Sequence, residues 1–229
     1  MAPPPRPLPE GGFKFTHEPS VAALNIPAKS FIAARSLISG AATGALVFSR
    51  ATGEDRVLLI QRAAHDSMPL RWEVPGGACD EEDETLLHGL ARELWEEAGL
   101  RLKRVVRQVG AEQVFLTRRG LAVAKVTFEV DVETSEPPAP ETGSGTAALP
   151  EVTLDPHEHM RFLWATAEEC QLGRVAVPGS GGEKEVVDIR FTTQDQKKVI
   201  LLGFKLRRQE YLRQEHGGGG GGGGEPSPE

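Results

Sequence analysis

The chain has 229 residues, enough for one substantial core and too few for two domains of ordinary size. A hydrophobic fraction of 39% beside 26% charged residues suits a soluble globular protein diluted by polar tails, and no apolar run approaches the ~20 residues that span a bilayer. The net charge of -7 argues against non-specific nucleic-acid binding, which needs a basic footprint, yet leaves room for a nucleotide if bound divalent cations reverse the sign locally.

In chain order, residues 1–12 ("MAPPPRPLPEGG") form a proline-rich leader that lacks the apolar stretch of a secretory signal and is expected to be disordered. A single domain is expected over 13–216. Within it, "SGAATGALVFSR" and "RVLLIQR" are apolar and β-branched enough for two strands joined by the turn "ATGED". "RWEVPGG" reads as a short strand running into a glycine turn. Next comes an acidic helix, Thr85 to Ala98. "RQVGAEQVFLTRRGLAVAKVTFEVDVE" follows as two strand-like runs around "TRRG", with Val126, Phe128, Val130 and Val132 alternating at the period of a half-buried strand.

Residues 133–151 are so rich in Pro, Gly, Ser and Thr that they read as a flexible insertion or a lid. "RFLWAT" is another short strand and "AEECQL" a helical turn. "TTQDQKKVILLGFKLRRQEYLRQEH" reads as an amphipathic helix, opened by a capping box of Thr193 and Gln196, with Leu201, Phe204, Tyr211 and Leu212 on its apolar stripe. The glycine-rich tail, 217–229, cannot bury enough surface to order itself. Strands and helices mix without regular βα repeats, which predicts an α+β fold on a mixed sheet.

The acidic helix carries the chemistry. At about 100° per residue, Leu87, Leu90, Ala91, Leu94 and Ala98 share one arc and face the core, while Glu93, Glu96 and Glu97 cover the neighbouring arc. Three carboxylates therefore crowd the helix C-terminus, where the dipole prefers cations, at the edge of the buried face. Most glutamate-rich helices are solvated faces. Carboxylates gathered partly out of water, however, either raise their pKa values or bind a cation, and oxygen donors favour Mg²⁺ or Mn²⁺ over zinc. Arg92 is spaced to pair with Glu96, and Gly89 leaves room beside Glu93. Gly99 stops the helix.

These residues resemble the Nudix box: Gly, five residues, Glu, seven residues, then Arg-Glu-aliphatic-any-Glu-Glu-any-Gly-aliphatic. Glu84 and "RELWEEAGL" (Arg92 to Leu100) fit in full, while strict counting puts Ala78 at the first glycine, directly after Gly76 and Gly77. The resemblance implies an α/β/α sandwich around a mixed sheet. It also implies Mg²⁺-dependent hydrolysis of a pyrophosphate bond in a nucleoside diphosphate linked to another moiety. Glu93, Glu96 and Glu97 would hold the metal, helped by a carbonyl of Gly77 or Ala78. Arg92 would hold the glutamates, and Glu84 would fix Arg92 or approach the metals. Glu158 sits where many family members place a further catalytic or metal-binding glutamate; Asp155, His157 and His159 are its rivals.

Gly76 and Gly77 let backbone approach a ligand, and Arg62 is a candidate phosphate contact, although an exposed strand-end arginine accounts for it equally. Trp72 either stacks a base or packs under the glycine turn. Cys79 and Cys170 show no paired spacing, so reduced thiols in a cytoplasmic protein are expected. The expected partner is a small nucleoside diphosphate derivative; nothing in the sequence argues for or against a homodimer. The alternative function is a non-catalytic module of the same fold that binds a nucleotide or a protein.

Overall fold

The structure is a computed structural model and describes residues 6–134, 149–178 and 183–217. The chain opens with β1 (Thr16–His17), a 3-10 turn (Pro19–Leu24) and α1 (Ala28–Ala33), then runs through β2 (Gly40–Ser49), β3 (Arg56–Arg62) and β4 (Trp72–Glu73). After α2 (Leu86–Ala98) come β5 (Leu102–Gln108), β6 (Gln113–Leu116) and β7 (Ala122–Val132). β8 (His159–Ala165), α3 (Ala167–Leu172), β9 (Arg174–Pro178), β10 (Lys184–Asp188) and α4 (Gln194–Gly217) complete it.

β2 runs parallel to β7 from the Gly40–Val123 pair to the Val47–Val130 pair, and only its last two residues, Phe48 and Ser49, pair antiparallel with β3. The order is β1-β5-β7-β2-β3-β4, with β6 also on β7 and β8 also on β3; β9 and β10 form a separate hairpin. Because both faces are covered, the central strands read as nearly continuous apolar runs. On β3, Leu58 and Ile60 enter the core that holds Leu87, Leu90 and Leu94 of α2, whereas Val57 and Leu59 enter the core that holds Val199, Ile200 and Phe204 of α4. The sheet thus lies between α2 and α4, the mixed-sheet α+β sandwich expected. Trp72 packs within the α4-side core and donates its indole N–H to the Asp188 carbonyl, so it is not free to stack on a base.

Several expectations change. Residues 6–12 of the leader are held in place: Trp95 Nε1 donates to the Pro7 carbonyl (2.9 Å), Arg6 donates to the Thr153 carbonyl, and Pro9 is buried. These bonds run to residues 88 and 147 positions away, contacts that composition does not encode. On α4, Phe204 is buried and Leu201 packs against the same core as expected, while Leu212 is exposed and the Tyr211 hydroxyl meets Asp55 and Arg207; Val199 and Ile200 complete the buried stripe, because Gly203 brings the helix down onto Leu46 and Phe48. Of the insertion at 133–151, residues 135–148 lie outside the described residues, as does the tail from 218 onward. No helix among the described residues is long and apolar enough to cross a membrane.

Candidate active site

Two well-made ends fix where the glutamates of α2 stand. Thr85 caps the start by accepting the His88 N–H, and Gly99 closes the end at φ 67°, its N–H returning to the Trp95 carbonyl. With Leu87, Leu90, Ala91, Leu94 and Ala98 all buried, Glu97 is carried inside, at 5% exposure, and Glu93 to the boundary. The turn after β4 closes over them. Thr43 N–H donates to the Gly77 carbonyl and Ala45 N–H to the Pro75 carbonyl, which ties the turn along β2. Gly76, at φ +139°, aims its N–H at Glu97 Oε2 (2.6 Å). Beside it, a Cβ on Gly77 would lie 2.6 Å from Glu93 Oε2, so only glycine leaves that carboxylate its place.

The start of β8 supplies the other wall. A register shift between Gln61 and Arg62 accompanies the entry of this strand, and Ala63 N–H donates to the Glu158 carbonyl. Glu97, Glu158 and His159 there offer ligand atoms that all lie within 4.8 Å of one another. A cleft of about 380 Å³ is bounded by Glu93, Glu97, Glu158, His159, Gly77 and Arg62. His159 is buried, and among the described residues neither ring nitrogen has a partner within hydrogen-bond distance; its Nε2 stands 3.6 Å from Glu73 Oε1 and 3.8 Å from Glu97 Oε1.

Burial dominates the electrostatics. It pushes the Glu93 carboxyl up to about 7, against the pull of Arg92, and pushes Glu97 well above the usual carboxylate range, with Glu73 and Glu93 adding repulsion. Such a cluster calls for positive charge. The donor set fits a divalent cation on three counts: carboxylates from two elements meet in one cleft, a buried imidazole there lacks hydrogen-bond partners among the described residues, and Gly77 keeps the Glu93 oxygens clear.

Arg92 spends its donors inside the motif. Nη1 reaches Glu93 (2.9 Å) and Glu96 (2.8 Å), Nε and Nη2 reach Asp83 (3.0 Å each), and Nη2 also reaches the Ala78 carbonyl. It therefore clamps α2 to the loop before it. Glu96 pairs with Arg92 as its spacing predicts, but stands outside the cleft wall.

Glu84 is a correction. Its side chain is 80% exposed and among the described residues meets His88, at 3.5 Å; the carboxylate that fixes Arg92 is Asp83, one residue earlier. Gly89 is another: a Cβ there would meet Asp83 Oδ2 and Cys79 Sγ, so the space serves the loop and not a ligand. Arg62 does line the cleft, yet both of its Nη atoms are already paired, with Glu73 and Asp66. Ala78 is tolerated because it is exposed and the left-handed backbone falls on Gly76. The Cys79 thiol, raised to about 12 mainly by burial, is inert.

A family model described as "NUDIX domain" matches residues 39–178, more than half of the chain. The chain belongs to the Nudix family. No curated protein matches it. Among solved structures, the MutT protein of Methanosarcina mazei Go1 is 20% identical, with a TM-score of 0.46 over 76% of this chain and 98% of that one. A C. elegans Ap4A hydrolase is 16% identical, with a TM-score of 0.44 over 77% and 99%. The protein is a Nudix hydrolase, and the Nudix box supplies α2, the Gly-Gly turn edge and the Arg92 clamp. Glu73 and Asp83 join the site through contacts that the motif does not name.

Proposed function

We propose that this Nudix hydrolase cleaves the pyrophosphate bond of a nucleoside diphosphate linked to another moiety, using Mg²⁺, with Mn²⁺ as a substitute. The observation that carries the reading is the meeting of Glu93, Glu97 and Glu158 around one cleft, with Glu97 buried and lacking any Lys or Arg partner among the described residues. Those three carboxylates are the proposed metal donors, and Glu96, outside the cleft wall and paired with Arg92, is a further candidate. When bound, divalent cations neutralise the diphosphate and lower the pKa of water.

The chain's own residues do the positioning. Gly76 N–H pins one oxygen of Glu97 and leaves the other toward the cleft. Arg92 holds Glu93 in place by a direct hydrogen bond, and Asp83 and the Ala78 carbonyl hold Arg92. Arg62 is held at the cleft wall by Glu73 and Asp66, and would have to exchange one of them to meet a phosphate oxygen. Both cysteines are free thiols, which fits a reducing cytoplasmic setting.

The test is a panel of nucleoside diphosphate derivatives incubated with the purified protein and Mg²⁺, with the products identified. Glu97→Gln is expected to lower kcat/KM by about 10²–10³-fold or more while the circular dichroism spectrum stays unchanged. A folded wild-type protein that turns over nothing in the panel would instead favour a non-catalytic binding module.

A further inference from the structure

The last turn of α2 carries glutamates and no basic residue, although that end of a helix favours cations. The cations come from elsewhere in the chain. Arg6 lies over the Trp95 ring, its Cζ 5.3 Å from the centroid, and Arg101 lies 5.9 Å from the same ring. Main chain ties the arrangement together. Trp95 Nε1 donates to the Pro7 carbonyl (2.9 Å), Arg6 Nη2 to the Thr153 carbonyl (2.6 Å) and Arg101 Nη2 to the Glu10 carbonyl (3.5 Å). Gly99 permits the approach: a Cβ there would lie 3.0 Å from Arg6 Nη1 and 3.1 Å from the Thr153 carbonyl oxygen. Residues 6–10 thus form a strap across the end of the helix that carries the cleft carboxylates.

What the strap holds is the chain on its way to Glu158. Thr153 N–H donates to the Ala98 carbonyl (2.9 Å) and Asp155 N–H to the Glu97 carbonyl (3.3 Å), so two terminal carbonyls of α2 are capped by residues 153–155. Thr153 is therefore gripped at both main-chain groups, its N–H by α2 and its carbonyl by Arg6. Asp155 then builds the turn that follows: its carboxylate accepts the His157 N–H (2.8 Å), and its carbonyl accepts the N–H of Glu158 (3.2 Å) and of His159 (2.9 Å). The Glu158 side chain is exposed and forms no hydrogen bond or ion pair among the described residues. Its place beside Glu97 is accordingly set by main chain alone, by the Asp155 turn before it and by Ala63 at its own carbonyl.

We propose that Arg6 and Trp95 are positioning residues for the carboxylate cleft: the strap they anchor fixes residues 153–155 against α2 and, through the Asp155 turn, sets the Glu158 carboxylate relative to Glu97. Neither side chain lines the cleft itself, so the effect travels through the main chain. The inference rests on the reading of Glu93, Glu97 and Glu158 as metal donors.

Two measurements on the full chain test it. Titration calorimetry with Mg²⁺ alone compares wild type, Arg6→Ala, Glu158→Gln and the double variant. Arg6→Ala is expected to weaken Mg²⁺ binding on the order of 10-fold, and Arg6→Lys, which keeps one donor for Thr153, to restore most of it. Trp95→Phe, which loses the N–H to Pro7 and keeps the ring, should weaken binding in the same direction. On the Glu158→Gln background Arg6→Ala should add no more than about twofold, because the strap acts through the carboxylate already removed. Equal losses on both backgrounds, or none in Arg6→Ala, overturn the assignment. Hydrogen exchange supplies the second reading: Arg6→Ala should speed exchange at Asp155, Glu158 and His159 about tenfold and leave β2 and β7 unchanged. Unchanged exchange at those amides overturns the strap as well. Wild-type protein that binds no Mg²⁺ would sink the metal reading, and with it the role at the cleft, whereas faster exchange in Arg6→Ala would still show the strap ordering the turn.

Discussion

At Gly76 the backbone φ of +139° would strain any side chain, and a Cβ would overlap the Thr43 carbonyl oxygen and sit 2.7 Å from Gly44 Cα. Nothing there can yield, because both neighbours are main chain of β2. At Gly77 a Cβ would meet only the Glu93 carboxylate, the far end of a flexible side chain, and φ is unremarkable. Adjacent glycines should therefore fail differently. Gly76→Ala is expected to cost roughly 2–4 kcal/mol of stability by denaturant unfolding. Gly77→Ala should keep stability within about 1 kcal/mol and still lower kcat/KM by more than about tenfold, since Glu93 must move aside. A pair of variants with the same stability loss would show that the second glycine has no role at the carboxylate.

At the scale of elements, Arg92 joins α2 to the loop that starts at Gly77, and the partners it chooses distinguish the structure from the motif. Because Asp83 takes two of its hydrogen bonds and Glu84 none, Asp83→Asn should reduce activity about 10- to 100-fold, while Glu84→Gln changes rate and melting temperature little. Arg92→Lys keeps the charge but cannot span Glu93, Glu96, Asp83 and the Ala78 carbonyl together, so it should behave like Asp83→Asn. Steady-state kinetics on the three variants settles this; equal losses for Asp83→Asn and Glu84→Gln would contradict it. The same contrast explains what sequence could reveal. α2 was legible because cap, stripe and stop all sit within one local segment, as were β2, β3 and β7 with their apolar runs. The Asp83 clamp, the Glu73–Arg62 pair and the docking of residues 6–12 were not, because each joins positions by through-space geometry that neighbouring residues do not encode. The short α1, β9 and β10 carry too few residues to show a period.

For the whole molecule, the buried cleft carboxylates tie stability to pH and to metal. Glu93 moves from an ordinary value of 4.5 to about 7 on folding, and burial also raises Glu97 well above the usual carboxylate range. A carboxyl raised by folding binds its proton more tightly in the native chain than in the unfolded one. The stability it contributes is thus complete below 4.5 and lost as pH climbs through about 7. Asp66, held down to about 2 by Arg62 and Ser67 despite its burial, titrates far below that window and does not blur it. Metal-free protein should therefore melt progressively lower between pH 5.5 and 8, and Glu93→Gln should flatten that slope. Divalent cations compete with those same protons for the same oxygens, so the rise in melting temperature produced by Mg²⁺ should be small at pH 5.5 and grow through pH 7. Scanning calorimetry at fixed ionic strength, with Mg²⁺ and with chelator, measures both effects. A Mg²⁺ shift equal at pH 6 and pH 8, or one retained in a Glu93→Gln, Glu97→Gln double variant, would mean that the metal binds elsewhere than at this cleft.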